Sequence, residues 1–282
     1  MDLQTLKQKM DEAHYIYDDT LATVLAVALQ LGRPLLIEGA AGVGKTEIAK
    51  VMASALDRDL VRLQCYEGLD ESKALYEWNY QKQLLSIQVN MGSKDSDELT
   101  KSLFSDEYLL ERPLLRSIRS EKPVVLLIDE IDKADLEFPN DLLWELDQME
   151  FYIPETKETV KAKQRPIVII TSNAEKELPD AFLRRCVFHY IEFPQQEQME
   201  QIIRVHFEKL DQHLVQQALA AFYWVRELRG IEKKPSTSEL VDWLRALVAG
   251  GVDPDSIEKQ IPFAGVLLKK DKDLRTLAQS KR

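Results

Sequence analysis

The fold of this chain is decided by the stretch Leu35-Leu36-Ile37-Glu38-Gly39-Ala40-Ala41-Gly42-Val43-Gly44-Lys45-Thr46. Three apolar residues at its start predict a buried strand, and residues 45–55 predict a helix. Between them, the fixed positions of the phosphate-binding pattern G-x-x-x-x-G-K-[ST] are filled by Gly39, Gly44, Lys45 and Thr46. Glycines allow a sharp turn whose N–H groups point at phosphate oxygens, and the helix N-terminus adds partial positive charge. The stretch therefore predicts a nucleotide-binding P-loop.

The last residues of this loop suit particular chemical tasks. Lys45 can reach the β- and γ-phosphates of ATP, and the Thr46 hydroxyl can ligate Mg²⁺. The expected nucleotide contacts come from Gly39, Ala40, Ala41, Gly42, Val43, Gly44, Lys45, Thr46 and Glu47. The alternative is a chance glycine-rich turn, but the strand before it, the helix after it and the filled pattern favour the phosphate site.

Composition bounds the kind of protein. With 282 residues and 45% hydrophobic content, the chain can bury a sizeable core, divided most naturally into one large and one small domain. The net charge of −11 argues against broad, sequence-independent binding to nucleic acid. We find no apolar run long enough for a transmembrane segment and no secretory signal at the start. Cys65 and Cys186 lack a C-x-x-C pattern and are expected to be buried thiols in a reducing, cytoplasmic compartment.

A second informative run covers residues 123–130 and ends in Asp129 and Glu130. An apolar run without alternation is typical of a strand covered on both faces, which predicts a central parallel strand. Its terminal carboxylates then project into the crevice where ligands of such sheets bind. We expect Asp129 to hold the Mg²⁺ shell and Glu130 to polarise a water for attack on the γ-phosphate. The alternative is that these acids merely end a strand.

Residues 166–173 form another apolar run that ends in polar residues. Asn173 can reach a phosphate or the attacking water from this neighbouring strand end, or it is an ordinary turn residue. Residues 178–186 predict a short helix that ends in Arg184 and Arg185, and residues 188–193 predict the last strand. This arginine pair forms either a surface salt bridge or a contact that crosses to a neighbouring subunit.

Other segments carry weaker predictions. Residues 66–120 show no clear strand but contain helical pieces such as Glu71 to Leu85, and residues 135–148 predict one amphipathic helix. The aromatic residues of the first segment form either core or a partly exposed interaction surface: Tyr76, Trp78, Tyr80, Phe104 and Tyr108. Residues 151–164 predict a hairpin. From residue 195 onward we expect helices, including one that begins at a capping box formed by Ser236 and Glu239.

The order of these features along the chain resembles that of an AAA+ ATPase. They are the P-loop, the strand with Asp129 and Glu130, the strand with Asn173, the paired arginines and the helical tail. Within that superfamily, residues 62–70 and 75–85 are similar to the MoxR family. Together with residues 234–240, they resemble most the CoxD-type members linked to carbon monoxide dehydrogenase maturation.

The resemblance implies an α/β/α sandwich with a central parallel sheet ordered 5-1-4-3-2 and a small all-helical lid. It implies an AAA+ nucleotide-binding domain over residues 1–194, with a helix-2 insertion at 66–120 and a pre-sensor hairpin at 151–164, and a lid over 195–282. By the same resemblance Asn173 is sensor 1 and Arg184 or Arg185 is the arginine finger. Ser238 stands where many relatives carry the sensor-2 arginine, and Lys233 or Lys234 is the candidate substitute.

The function implied by the resemblance is ATP hydrolysis, with Mg²⁺, by a hexameric ring that remodels a partner. Such relatives work with a von Willebrand factor A-domain protein to mature a metalloenzyme's active site, here of the molybdenum/copper carbon monoxide dehydrogenase kind. Two alternatives stay open: a scaffold that binds ATP without turnover, against which Glu130 argues, and a nucleic-acid motor, against which the acidic composition argues.

Overall fold

The computed structural model describes residues 2–90, 102–207, 209–257 and 260–280. It comprises two compact units: the first joins Met1–Gly39 with Gly44–Ile191, and the second joins Ala40–Val43 with Glu192–Arg282. Within the described ranges, no helix is long and apolar enough to cross a membrane. The expected domain boundary at residue 194, with its nucleotide-binding and lid roles, stays a prediction.

The first unit is built on a parallel sheet and two small antiparallel pairs. The strands in chain order are β1 (Leu35–Gly39), β2 (Leu60–Gln64), β3 (Tyr76–Trp78), β4 (Leu109–Glu111), β5 (Val125–Asp129), β6 (Glu150–Ile153), β7 (Glu158–Lys161), β8 (Ile167–Ser172) and β9 (Val187–Ile191). The five-stranded sheet has the order β2-β5-β8-β1-β9, with all pairs parallel. Numbering only these five strands along the chain and reading from β9 gives 5-1-4-3-2, so the expected AAA+ sheet is confirmed.

Helices cover both faces of this sheet and form the second unit. In chain order they are α1 (Leu3–Glu12), α2 (Asp19–Leu31), α3 (Lys45–Ala55), α4 (Glu71–Leu75), α5 (Tyr80–Asn90), α6 (Pro113–Arg119), α7 (Phe138–Asp141), α8 (Leu143–Gln148), α9 (Asp180–Leu183), α10 (Gln196–His206), α11 (Gln212–Glu227), α12 (Thr237–Ala249), α13 (Pro254–Ile257), α14 (Ala264–Leu267) and α15 (Asp271–Gln279). A 3₁₀ turn at Ile131–Lys133 follows β5.

The apolar run of β5 is continuous because both of its faces are buried. Leu126 and Ile128 pack into one core, together with residues of β2 and α6. Val125 and Leu127 point the other way, into a second core formed with α1, α2 and α3. Alternate residues of a strand point to opposite faces, so a strand between two helical layers needs apolar side chains at every position. The expectation of a central, doubly covered strand is confirmed.

Two sequence expectations are wrong in detail. Residues 135–148 form α7 and α8 rather than one helix, and Leu136 lies before them with 64% of its surface exposed. Pro139 has no N–H, and its ring clashes with the carbonyl four residues earlier in a helix, so it is tolerated in the first turn of α7 but not inside a helix that begins at residue 135. The segment 66–120 also contains strands, because β3 and β4 pair in antiparallel fashion. β3 and β4 lie some thirty residues apart in the chain, so no local pattern predicts their pairing. Residues 91–101 of this segment lie outside the described ranges.

The aromatic residues of this segment are mostly core. The Trp78 ring lies 5.2 Å from that of Phe104 in an edge-to-face arrangement, and Tyr76 stacks on Phe151 at 6.0 Å. Tyr108 is buried, whereas Tyr80 is exposed. The core interpretation therefore holds for these aromatics except Tyr80.

The hairpin expected at 151–164 is confirmed as the antiparallel pair β6–β7.

Both cysteines are free thiols; Cys65 is buried as expected, whereas Cys186 is only partly buried. Burial raises the pKa of Cys65 to about 12, and nearby carboxylates, Asp129 first, act in the same direction. Burial also raises the pKa of Cys186 to about 12. Both groups therefore stay protonated and unreactive at neutral pH.

The helical unit has a core of its own, centred on the fully buried Trp243. The predicted capping box is present at the start of α12, where Ser236 and Glu239 satisfy each other's backbone N–H groups. A second polar anchor is Asp273, which is completely buried in the first turn of α15. Its carboxylate accepts hydrogen bonds from the backbone N–H groups of Glu232 at 2.8 Å and Lys233 at 3.1 Å.

We expect Asp273→Ala to destabilise the protein by about 1–3 kcal/mol, because two buried N–H groups lose their acceptor. The measurement is urea unfolding followed by circular dichroism. Asp271→Ala is the matched control: Asp271 lies in the same helical turn but is exposed, in an i,i+4 pair with Arg275, and should change stability by no more than about 0.5 kcal/mol. Equal losses in the two variants would contradict an anchoring role for Asp273.

Candidate active site

The carboxyl ends of neighbouring parallel strands bring the predicted site residues together. β5 ends at Asp129, and Glu130 follows it with a left-handed φ of 56°. β8 pairs with β5 and is followed by Asn173. The Asn173 amide Nδ2 donates to Glu130 Oε1 at 3.1 Å. The sheet register therefore places Glu130 and Asn173 in direct contact, although 43 residues separate them.

Lys45 joins the same group of side chains. It begins α3 and follows Gly44, whose φ of 93° suits glycine and turns the chain sharply into the helix. Its Nζ donates to Asn173 Oδ1 at 2.8 Å and to the carbonyl of Gly39 at 2.7 Å. Burial lowers the pKa of Lys45, and the carboxylates of Asp132, Glu130, Asp129 and Glu38 oppose that shift. The surrounding acids thus favour the cationic form that phosphate binding needs.

Asp129 is the most heavily bonded carboxylate of the site. Its Oδ1 accepts from the hydroxyls of Thr46 at 3.0 Å and Thr171 at 2.6 Å. Its Oδ2 accepts from Arg62 Nε at 3.0 Å and Nη2 at 2.5 Å. The carboxylate is 2% exposed. A buried carboxylate needs such donors, because an unpaired buried charge is costly.

Thr46 and Asp129 also fit the chemistry of Mg²⁺. They place a hydroxyl and a carboxylate oxygen side by side, and both are hard oxygen ligands. Among the described residues, there is no cluster of three or more His, Cys, Asp or Glu side chains that could hold a metal by itself. Mg²⁺ characteristically uses one or two protein ligands and takes its other ligands from phosphates and water.

Sequence reasoning missed two residues of β2 that complete this network. β2 runs beside β5, with Gln64 opposite Asp129. Gln64 Nε2 donates to Glu130 Oε2 at 3.1 Å, and Arg62 also bonds to Gln64. The available signal was the alternation of Arg62 and Gln64 with apolar residues, which puts both side chains on one face of a strand.

Thr171 and Asp132 are two further residues that the sequence did not single out. The Thr171 hydroxyl donates to Asp129 and accepts from the backbone N–H of Glu130 at 2.9 Å. Asp132 is buried, and its Oδ2 accepts from the N–H groups of Asn173 at 3.2 Å and Glu175 at 3.1 Å. Both therefore hold the backbone at the strand ends where Glu130 and Asn173 lie.

The two arginines after α9 differ in their surroundings. Arg185 Nε forms an ion pair with Asp147 Oδ2 at 2.5 Å, and its Nη1 donates to the carbonyl of Ala181. The exposed side chain of Arg184 has no hydrogen-bond or ion-pair partner among the described residues. The salt-bridge alternative thus applies to Arg185, and Arg184 is left available to another molecule.

Other predicted site residues belong to the second unit or have partners of their own. Ala40, Ala41, Gly42 and Val43 group with the second unit, and Glu47 pairs with Lys50 at 2.7 Å. Lys233 lies 4.0 Å from Glu239, in the helical unit that also carries Ser238. Their nucleotide-binding and sensor-2 roles stay predictions.

The parallel sheet, the P-loop and the acidic strand end define an α/β P-loop protein of the AAA+ class. The chain belongs to the AAA domain family (dynein-related subfamily), whose model matches residues 34–186. Members of this family are ATPases.

Two individual proteins show the range of the similarity. Midasin from Dictyostelium discoideum is 26% identical in an alignment of length 203 that covers 67% of this chain and 3% of midasin, so the chain spans a small fraction of that relative. The crystal structure of a presumed ATPase from Cytophaga hutchinsonii superposes with a TM-score of 0.48 at 15% identity, covering 94% of this chain and 86% of the other.

We expect Thr171→Val to destabilise the protein by about 1–3 kcal/mol, since Glu130 N–H loses its acceptor and Asp129 loses a donor. Urea unfolding measures the loss. Thr171→Ser retains the hydroxyl and removes one methyl group, so it should cost no more than about 1 kcal/mol. If serine destabilises as much as valine, packing rather than hydrogen bonding sets the role of this residue.

Proposed function

We propose that this protein hydrolyses ATP with Mg²⁺ at the site formed by Lys45, Thr46, Asp129, Glu130 and Asn173. One observation carries the proposal: a single hydrogen-bond network joins the P-loop lysine, the residue after β8 and the glutamate after β5. One substrate could therefore contact a cation that binds phosphate, two oxygen ligands for Mg²⁺ and a candidate base. Phosphoryl transfer requires these parts together, because its catalysis is mainly positioning and charge stabilisation.

Each residue has a distinct task in this proposal. Lys45 binds the β- and γ-phosphates, and Thr46 and Asp129 hold Mg²⁺, which neutralises charge on the phosphate oxygens when bound. Glu130 accepts a proton from the attacking water or polarises it. Asn173 and Gln64 donate to the two oxygens of Glu130 and so orient its carboxylate. The Glu130 carboxylate therefore lies between two side-chain amides that limit its rotation.

We further propose that the protein acts as a hexameric ring in which Arg184 reaches the γ-phosphate bound by a neighbour. The exposed, uncommitted guanidinium of Arg184 supports this assignment over Arg185, which Asp147 engages. An arginine finger neutralises charge that spreads over the transferred phosphoryl group.

We propose the purpose of ATP hydrolysis from the resemblance to the MoxR family. The protein would remodel a client metalloenzyme, of the carbon monoxide dehydrogenase kind, together with a von Willebrand factor A-domain partner in the cytoplasm. The similar segments at 62–70, 75–85 and 234–240 support this role. Co-purification of the chain with such a partner in an ATP-dependent manner tests it.

Glu130→Gln should bind ATP with near-normal affinity and lower turnover by about 10²-fold or more, because the amide cannot take a proton from water. Calorimetric titration with ATP and a steady-state phosphate-release assay measure the two effects. Glu137→Gln, a change at an exposed glutamate nearby, is the control and should retain full turnover. Undiminished hydrolysis by Glu130→Gln would reject its role, and no hydrolysis by wild type would favour the scaffold alternative.

Arg184→Ala should be inactive alone and regain ATPase activity when mixed with inactive Lys45→Ala subunits. In a mixed ring, the intact P-loop of one subunit meets the intact Arg184 of its neighbour. We expect a loss of about 10³-fold or more in the single variant. Arg185→Ala is the comparison and should remain active, losing its ion pair with Asp147 and its hydrogen bond to the carbonyl of Ala181. Mixed rings that exchange subunits but recover no activity would reject a finger acting between subunits.

A further inference from the structure

A cavity of about 300 Å³ lies at the N-terminal ends of β1 and β8. We call it the strand-start pocket; it is lined by Leu25, Ala28, Leu29, Gly32, Arg33, Pro34, Leu35, Leu56, Arg58, Arg165, Pro166, Ile167, Val168 and Ile169. The active-site residues lie at the opposite, C-terminal ends of the strands. β1 is 5 residues long, which separates the two places by roughly 16 Å at about 3.3 Å per residue.

The pocket combines an apolar floor with positive charge. Leu25, Leu35 and Ile169 are fully buried beneath it. Three of its lining residues are arginines, and none of the lining residues, all of which the structure describes, is acidic. This departs from the chain as a whole, in which 48 acidic residues outnumber 37 basic ones. A volume of about 300 Å³ is at the lower end of the range for small-molecule sites.

Two of these guanidinium groups are uncommitted. Neither Arg33 nor Arg58 has a side-chain hydrogen bond or ion pair with any residue in the described ranges. Arg58 is half-buried, and burial lowers its pKa without an opposing carboxylate. A partly buried charge without a counter-charge is unfavourable, so an anion placed beside it would be stabilised.

Arg165 has a different role in the pocket. Its Nε donates to the carbonyl of Gly32 at 2.9 Å, and its Nη1 and Nη2 donate to the carbonyls of Asp147 and Leu146 at 3.1 and 3.0 Å. These bonds fix the guanidinium of Arg165 between the end of α2 and the start of β8, where it lines one side of the cavity. Arg165 thus shapes the cavity, and Arg33 and Arg58 supply the free donors.

We propose that the strand-start pocket binds a small amphipathic anion, a molecule with an apolar body and a carboxylate or phosphate head. The apolar body lies on the floor formed by α2, β1 and β8, and the head is bound by Arg58 and Arg33. None of its lining residues belongs to the proposed active site.

Calorimetric titration of the full chain with octanoate tests the proposal. Octanoate should bind at least about tenfold more tightly than octan-1-ol, which lacks the charge, and than acetate, which lacks the body. Octyl phosphate is titrated in parallel to distinguish a phosphate head from a carboxylate head. Failure of both octanoate and octyl phosphate to bind, or equal affinity for octan-1-ol, would overturn the proposal.

Variants locate the binding. Arg58→Met keeps an unbranched side chain but removes the charge, and should weaken octanoate binding by about 10- to 100-fold. Arg33→Met, a change at an exposed position, should act in the same direction. Arg204→Met, which removes an exposed arginine paired with Glu200 in α10, and Lys45→Ala in the P-loop should leave the affinity unchanged. Unaltered octanoate binding in both pocket variants, or its loss in Lys45→Ala, would place the ligand elsewhere and reject the site.

Discussion

The edge of the sheet at the carboxyl ends of its strands depends on one buried charge, the carboxylate of Asp129. Its oxygens accept hydrogen bonds from Thr46 in α3, Thr171 in β8 and Arg62 in β2. A buried carboxylate that loses one of these hydrogen bonds costs about 1–3 kcal/mol, so the contacts help to hold three neighbouring strands and the P-loop helix in register. The same oxygens are also suited to Mg²⁺. One carboxylate therefore supports both the local structure and the proposed chemistry.

Glu130 shows how backbone geometry and site chemistry are coupled. A left-handed φ in a non-glycine residue costs about 1–3 kcal/mol and persists only where the surroundings impose it. Here the N–H of Glu130 donates to Thr171, and its side chain lies between the amides of Asn173 and Gln64. The turn out of β5 is thus what directs the carboxylate across the strand ends. A glutamate that continued the strand would point at one face of the sheet instead.

Much of the fold was predictable because its signals are local. The P-loop pattern, the doubly buried strand β5, the β6–β7 hairpin and the capping box at Ser236 each occupy a short stretch of chain. The errors arose where a local pattern competes with something else. Pro139 keeps the amphipathic helix from beginning at residue 135, and β3 pairs with β4, which lies about thirty residues further along the chain.

The sequence by itself determined the α/β class, the position of the phosphate loop and the identity of the acids at the end of β5. It could do so because apolar runs and glycine-lysine patterns report directly on burial and backbone geometry. Only the tertiary structure decided which donors surround Asp129, which arginine of the pair is engaged, and that Arg33 and Arg58 line one cavity. Those partners lie far apart in the chain, and strand register and side-chain packing, which no local pattern encodes, bring them together.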